Sequence, residues 1–251
     1  MSSDNQFYHG RITRRVDFAP DLWSIRVNPG GKFKFRPGQY ATLGVQSGNK
    51  RSERAYSIVS SPHENEVEFF IELVPGGELT SQLYNLRSDN EILMRKVPKG
   101  RFLLDIDGSR KNHLLVSTVT GIAPYVSYIR SLMNDDREGK FPAGNRLFLL
   151  NGASRSWEFG YHQELANIAS GAKWLIYVRL MGELLCFLIA SIVGCERDLK
   201  EVGLARRPFR QHEFQDTSSR RRVPGSRSRA STRSLRPRCH QGSEQSGALG
   251  Q

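Results

Sequence analysis

The sequence predicts an antiparallel β-barrel followed by an incomplete doubly wound α/β domain and a disordered tail. Three observations carry that reading. Short β-rich runs separated by Gly/Pro turns fill residues 7–104 with little helix among them. Residues 113–178 then alternate apolar strand, amphipathic helix, strand, helix and strand. From residue 179 onward arginine and serine displace aromatics, which number 21 in the first 178 residues and 3 in the last 73. The expected domains are 1–107, 108–178 and 179–251, the first boundary falling in the polar loop Asp107-Gly108-Ser109-Arg110-Lys111.

In chain order, Phe7–Val16 and Leu22–Val27 read as strands around the turn-like Asp17-Phe18-Ala19-Pro20-Asp21. After the turn Asn28-Pro29-Gly30-Gly31, Lys32-Phe33-Lys34-Phe35-Arg36 alternates, so its phenylalanines should face a core and its cations water. A docking patch for an acidic protein fits the same cations. Ala41–Val45, Val67–Val74, Glu91–Met94 and Arg101–Leu104 are further β-rich pieces, and Gly48–Glu53 reads as a loop. The expected helix of this half, Ser81–Leu86, follows Pro75-Gly76-Gly77-Glu78-Leu79-Thr80. In the second half the strands are His113–Ser117, Arg146–Leu150 and Lys173–Val178, and the helices are Tyr125–Met133, started by Pro124, and Trp157–Ala169.

Composition narrows the class. With 251 residues, 38% hydrophobic and 25% charged, the chain is ordinary for a globular protein. The polar start Met1–Gln6 predicts no signal peptide and a cytoplasmic location. The net charge of +12 is uneven: residues 1–178 hold 23 Lys+Arg against 18 Asp+Glu, and residues 179–251 hold 14 against 7. Cys186, Cys195 and Cys239 follow no zinc or redox spacing, so neither a metal site nor a disulfide framework is expected.

The stretch that points to chemistry is Arg54-Ala55-Tyr56-Ser57. If extended, it places Arg54 and Tyr56 on one face about 7 Å apart. The guanidinium offers a planar fork to phosphate, the ring a stacking face, and Ser57 a hydroxyl for a ring heteroatom. A flavin dinucleotide fits all three, although a half-buried tyrosine beside a solvated arginine fits the same four residues. Gly77-Glu78-Leu79-Thr80 precedes a helix whose free N–H groups would receive a pyrophosphate, or else marks a turn and a Thr cap. In the second half Thr118 and Thr120 lie at the end of the first apolar strand and Ser154 and Arg155 after the second, where an arginine meets a 2′-phosphate in nucleotide-binding folds. A solvated loop arginine accounts for Arg155 equally well.

With these residues in place, the chain resembles the bacterial ferredoxin/flavodoxin–NADP(+) reductases. Their R-x-Y-S signature stands as Arg54-Ala55-Tyr56-Ser57, followed by Ser61-Pro62; their G-x-L-[ST] segment is Gly77-Glu78-Leu79-Thr80. The T-G-T-G-x-A-P element is recognisable as Thr118-Val119-Thr120-Gly121-Ile122-Ala123-Pro124, and E-x-x-Y as Glu158-Phe159-Gly160-Tyr161. Val119 stands where the family commonly has glycine. The resemblance implies an FAD-binding β-barrel before an NADP-binding α/β domain, in an FAD-dependent NADPH oxidoreductase that passes electrons to an acidic electron-transfer protein, ferredoxin or flavodoxin. It assigns Tyr56 and Ser57 to the flavin ring, with Ala55 standing between Arg54 and Tyr56 in the signature. Arg54 with Gly77, Glu78, Leu79 and Thr80 is assigned to the pyrophosphate, and Thr118, Thr120, Ser154 and Arg155 to NADP(H). A monomer without membrane attachment is expected. A reductase component of an oxygenase, or a flavin reductase, shares the two-domain plan.

After Val178 the family's remaining strands, with their C-G-x-P-like turn, are not recognisable. The apolar run Leu184–Val193 and the Arg/Ser-rich segments that follow are those expected of translation in a shifted frame, and FAD binding is expected to separate from NADPH turnover. A nucleic-acid-binding protein acting through the basic tail is the rival from another class, but the tail lacks interleaved aromatics for base stacking, so no specific nucleic acid is expected.

Overall fold

The computed structural model describes residues 3–182 except Asn49, and expectations that fall on residues 183–251 lie outside it. Six strands form one antiparallel sheet: β1 Phe7–Ala19, β2 Leu22–Asn28, β3 Tyr40–Ser47, β4 Lys50–Ser57, β5 Val67–Glu72 and β6 Glu91–Arg95. Their order is β4-β3-β6-β1-β2-β5, and the sheet curls so that Ile58, just past β4, bridges to Phe69 of β5. That closure makes the unit barrel-like and covers the two edges that a flat sheet would expose. Its interior is packed by side chains such as Ile12, Trp23, Leu43, Phe69, Ile71 and Met94, all fully buried. The helix α1, Glu78–Asn85, seals one end with Leu79 and Leu83.

A second, parallel sheet has the order β7-β8-β9, formed by Asn112–Thr118, Arg146–Ala153 and Leu175–Met181. The helices α2, Ala123–Arg137, and α3, His162–Gly171, connect its strands. A short 3₁₀ turn, Val119–Ile122, joins β7 to α2, and Pro124 lies in the first turn of α2, where its missing N–H costs nothing. Among the described residues no helix is long and apolar enough to cross a membrane, and no His, Cys, Asp or Glu cluster is placed to hold a metal ion.

Several elements differ from the sequence reading. β1 runs through Asp17 and Phe18 to Ala19, leaving only Pro20-Asp21 as the hairpin turn, because irregular register at Ile12/Arg14 and Asp17/Ala19 absorbs the lost alternation. Gly48–Glu53 is mostly strand: β4 begins at Lys50, which pairs with Ser47. Residues 32–36 form no ladder, yet Phe33 and Phe35 pack on the barrel core and the three cations are exposed. Arg101–Leu104 is not a strand either. α1 starts three residues early, at Glu78, with Gly77 as an N-cap that has no side chain to cap with. The expected helix over Trp157–Ala169 is broken. Glu158 turns back to accept the N–H groups of Ser154 and Arg155 at 2.9 and 3.1 Å, and Gly160 lies against Phe70, whose ring a Cβ there would meet at 2.4 Å.

Barrel and second sheet meet through a shared apolar cluster, which includes Leu22, Val59 and Phe70 with Ile122, Val126 and Ile129, and through an ionic network. Glu68 of β5 is 5% exposed. Its Oε2 accepts from Arg26 of β2 at 2.8 Å and from Arg130 of α2 at 2.7 Å, and its Oε1 accepts from the Tyr161 hydroxyl at 2.9 Å. Arg26 also donates to Glu64 at 2.8 Å, and Arg130 holds Glu164 of α3 with two bonds of 2.7 and 2.9 Å. Phe18, Phe70 and Tyr161 pack edge-to-face or tilted around this network with ring centroids 5.0–5.5 Å apart. Burial pushes the Glu68 carboxyl up, but Arg130, then Arg26 and the Tyr161 hydroxyl, outweigh it and hold the group below the usual carboxylate range.

Because that folded-state value is lowered, the stabilisation from Glu68 is complete above the ordinary glutamate value of about 4.3 and is lost as pH falls through the folded-state value. Glu68→Gln should cost about 3 kcal/mol at pH 7, near the low end for breaking a buried pair because Glu64 and Glu164 still partner the arginines. Urea melts at pH 7 and in progressively more acidic buffer should show two curves that converge only on the acid side. Equal midpoints at pH 7 would contradict this account.

Candidate functional site

The two stretches that the sequence assigns to one ligand are brought together. β4 is an edge of the sheet order, and its period of two puts Lys50, Ser52, Arg54 and Tyr56 on one face. Glu78, the first residue of α1, accepts from Lys50 and from the Ser52 hydroxyl, both at 2.8 Å. Hydrogen bonds from Lys50 and Ser52, with smaller help from the charges of Lys50 and Arg54, keep the Glu78 carboxyl below its usual range. The start of α1 is thereby pinned over the face that carries Arg54.

The other end of α1 is held too. Arg15 donates to the carbonyls of Tyr84 and Leu86 at 2.6 and 3.0 Å, satisfying acceptors that a helix end leaves open, and lies 4.9 Å from the Trp23 ring centroid. Fixed at both ends, α1 presents the N–H groups of Glu78, Leu79 and Thr80, which have no partner within a helix. Gly77 N donates instead to Val74 O at 2.8 Å. A Cβ on Gly77 would sit 2.6 Å from Thr80 Oγ1 and 2.9 Å from Val74 O, so only glycine lets the chain fold back this tightly. The Thr80 hydroxyl caps nothing; it accepts from Val74 N at 3.2 Å.

Arg54 is exposed and donates to the carbonyl of Glu53 at 2.7 Å, leaving most of its fork open. Tyr56 is half-buried against the barrel core; burial pushes its hydroxyl up to about 12 despite the Arg54 charge, so the ring is a neutral phenol. Ser57 ends β4 opposite Tyr40 of β3. An open cation and a neutral aromatic ring therefore share one face of β4 beside a helix N-terminus, with the Ser57 hydroxyl at the strand end, a donor set suited to a pyrophosphate joined to a flat ring.

The residues after Ser57 lead to the second sheet. Ser127 of α2 donates to Ser60 O at 2.7 Å, and the hydroxyls of Ser61 and Ser131 lie 3.1 Å apart, all buried. Thr118 of β7 pairs in register with Gly152 of β8, and Ala153 with Met181 of β9, so Thr118 and Ser154 share the C-terminal edge of the parallel sheet. Ligands bind at that edge in open α/β sheets. Thr118 is exposed, Thr120 half-buried, and Ser154 and Arg155 exposed, with the Arg155 guanidinium 5.5 Å from the Trp157 ring centroid. Arg179, unremarked in the sequence, lies along β9 with its guanidinium 5.5 Å from the Phe159 ring centroid. Its place near the end of a parallel strand was the available signal.

The arginine–glutamate network was also missed. Its signal is Glu68 inside Val67–Ile71, a run buried at every position: a carboxylate in such a strand demands cationic partners. A cavity of about 370 Å³ opens beside the network, lined by Arg14, Phe18 and Gln163 among others, and includes none of the residues expected to hold cofactors.

Val119 has φ +39°, in the left-handed region that favours glycine and that a β-branched residue seldom adopts. At an ordinary turn alanine is more stable than glycine by about 0.4–1 kcal/mol. Here Val119→Ala keeps a left-handed strain of about 1–2 kcal/mol that Val119→Gly removes, so the glycine variant should be the more stable of the two by about 1 kcal/mol. Paired urea midpoints test the order, and an alanine variant that melts later would refute the strain.

The sequence profile of the oxidoreductase FAD-binding domain matches residues 14–103. A flavodoxin/ferredoxin–NADP reductase of Buchnera aphidicola subsp. Baizongia pistaciae is 31% identical over 165 residues, covering 65% of this chain and 64% of the relative. A ferredoxin–NADP reductase of Pseudomonas aeruginosa is 38% identical over 126 residues, 50% of this chain and 49% of the relative. The chain thus spans less than two thirds of the length of these relatives. In structure it is similar to a ferredoxin NADP+ reductase from Neisseria gonorrhoeae with bound FAD and NADP, with a TM-score of 0.62, 23% identity, and coverage of 70% of this chain and 68% of that one.

Proposed function

We propose a function from one premise: the chain belongs to the bacterial ferredoxin/flavodoxin–NADP reductase family. It is read as an FAD-dependent oxidoreductase that moves electrons between NADPH and an iron–sulfur protein or flavodoxin. The observation that carries this reading is that Arg54 and Tyr56 share a face of β4 with Lys50 and Ser52, whose bonds to Glu78 hold the start of α1 beside that face. When bound, the flavin supplies both two-electron exchange with a nicotinamide and one-electron exchange with the acceptor.

The residues present fit FAD. Arg54 and the amides of Leu79 and Thr80 hold the pyrophosphate, Gly77 leaving the approach clear of a side chain. Tyr56 stacks on the flavin ring, and Ser57 hydrogen-bonds at the edge of that ring. Thr118 and Thr120, at the end of β7 and in the following turn, line the nicotinamide side, while Ser154 and Arg155 receive the 2′-phosphate. The serine contacts of Ser60 and Ser61 with α2 support this arrangement, because they tie the segment after Ser57 to the helix that begins beside Thr120.

Removing the Arg54 fork deletes a charge-assisted phosphate contact, and removing the Tyr56 ring deletes a stacking surface. Each loss is worth about 1–3 kcal/mol, or about tenfold to a hundredfold in affinity. Arg54→Ala and Tyr56→Ala should each lower bound flavin, read as visible flavin absorption per protein after gel filtration. Unchanged flavin content in both variants would sink the assignment.

A further inference from the structure

We propose that β9 is the docking edge for a second copy of this chain, two molecules pairing antiparallel through it in place of the expected monomer. The inference stands apart from the reductase reading, since it uses no residue assigned to a ligand. β9 is an outer strand of the order β7-β8-β9, and among the described residues its far edge pairs with nothing. A bare strand edge is a template for another strand, and proteins blunt such edges with lysine, proline or a bulge. β9 reads Leu-Ile-Tyr-Val-Arg-Leu-Met, without lysine or proline, and its register with β8 is unbroken from Leu147↔Leu175 to Ala153↔Met181.

Its side chains add to the exposed backbone. Ile176 is 36% exposed, Val178 38% and Met181 57%. The sheet explains the first two. Leu147 and Leu149 of β8 are buried with α2 and α3, whereas Phe148 and Leu150, on the opposite face, are only half-buried. Ile176 and Val178 continue that open face, in register with Phe148 and Leu150. A parallel sheet is ordinarily covered on both faces, so β9 brings an unpaired backbone and an uncovered apolar row to one margin. The other outer strand is better covered: Leu114 and Val116 of β7 are half-buried, and the Val116 carbonyl accepts the Tyr125 hydroxyl at 3.2 Å.

Self-complementarity identifies the second copy as the occupant. A two-fold axis through an antiparallel pair keeps the open faces of both copies on the same side. Centred on Val178, it engages all seven residues of β9, a ladder about 23 Å long. Val178 then meets Val178 of the second copy, Ile176 meets Leu180 of the second copy, and Leu175 meets Met181 of the second copy. Tyr177 faces Arg179 of the second copy, so the two arginines are not opposed, as like charges would repel. Moving the axis to Arg179 would set arginine against arginine, and moving it to Tyr177 would set Leu175 against Arg179. One strand pair buries less than the roughly 1,200 Å² of a standard interface, so the dimer is weak and reversible.

The test is sedimentation velocity of the full chain between about 1 and 200 µM, where monomer should give way to dimer. Val178→Lys and Val178→Glu should each weaken association by about tenfold or more, because each places like charges together at the axis. An equimolar mixture of the two variants should regain the dimer, since unlike charges then meet at the same point. A native chain that stays monomeric throughout the range overturns the proposal, as does growth past the dimer into open-ended aggregates. A dimer that Val178→Lys leaves intact overturns it by placing the contact elsewhere. Variants that stay monomeric when mixed overturn it as well, because Val178 then does not face its counterpart.

Discussion

A single buried carboxylate, Glu68, constrains how the two sheets meet. Desolvating an anion costs several kcal/mol, so the fold that buries it must deliver cations with good geometry. Here they come from opposite sides: Arg26 from the barrel, and Arg130 from α2, which also grips Glu164 of α3. Arg26 and Arg130 each keep a carboxylate partner on their own side, Glu64 and Glu164, and Glu68 takes its full set of donors only when both sheets are in place. Apolar packing could bring the same surfaces together, but it has no preferred register along β5, whereas the network fixes one position for α2. The turn that starts α2, Val119–Ile122, is then fixed as well.

From that anchor the placement of the candidate site follows by short links. Ser127 and Ser131, on the same helix as Arg130, meet Ser60 and Ser61 just beyond the flavin-assigned strand. On the barrel side, α1 is suspended between Arg15 at its C-terminal end and the Lys50–Glu78–Ser52 contacts at its start. The ligand-facing groups therefore need not hold themselves in position. Arg54 and the helix amides stay open because the neighbouring Lys50, Ser52 and Glu78 have made their bonds to one another.

Legibility from sequence divided along the same line. Arg54, Tyr56, Gly77 and Thr118 were singled out because each belongs to a local pattern: a strand of period two, a glycine before a helix, a Thr-rich turn. The antiparallel and parallel halves were legible for the same reason, since strand and helix periodicities are local. What escaped was non-local or set by close approach. Trp157–Ala169 has a helical pattern, yet it breaks where Gly160 meets Phe70, a residue ninety positions earlier. Arg101–Leu104 has strand chemistry but no neighbour to pair with, because Gly38 and Tyr128 claim its backbone. The partners of Glu68 lie on β2, on α2 and at Tyr161 just before α3, and no window of the sequence holds them together.

Val119 shows how the two kinds of information meet. Its backbone lies in the left-handed region although no glycine is present to make that conformation cheap. The strain persists because the turn is clamped at both ends: β7 is paired along its length to β8, and α2 is held through Arg130 to Glu68, Ser127 to Ser60 and Ser131 to Ser61. Relaxing φ at Val119 would rotate the start of α2 and pull Arg130 off Glu68, a loss larger than the strain itself. The buried ion network therefore sustains the tight turn beside Thr120, and the geometry of the edge proposed to bind a nucleotide depends on a charge cluster that touches no proposed ligand.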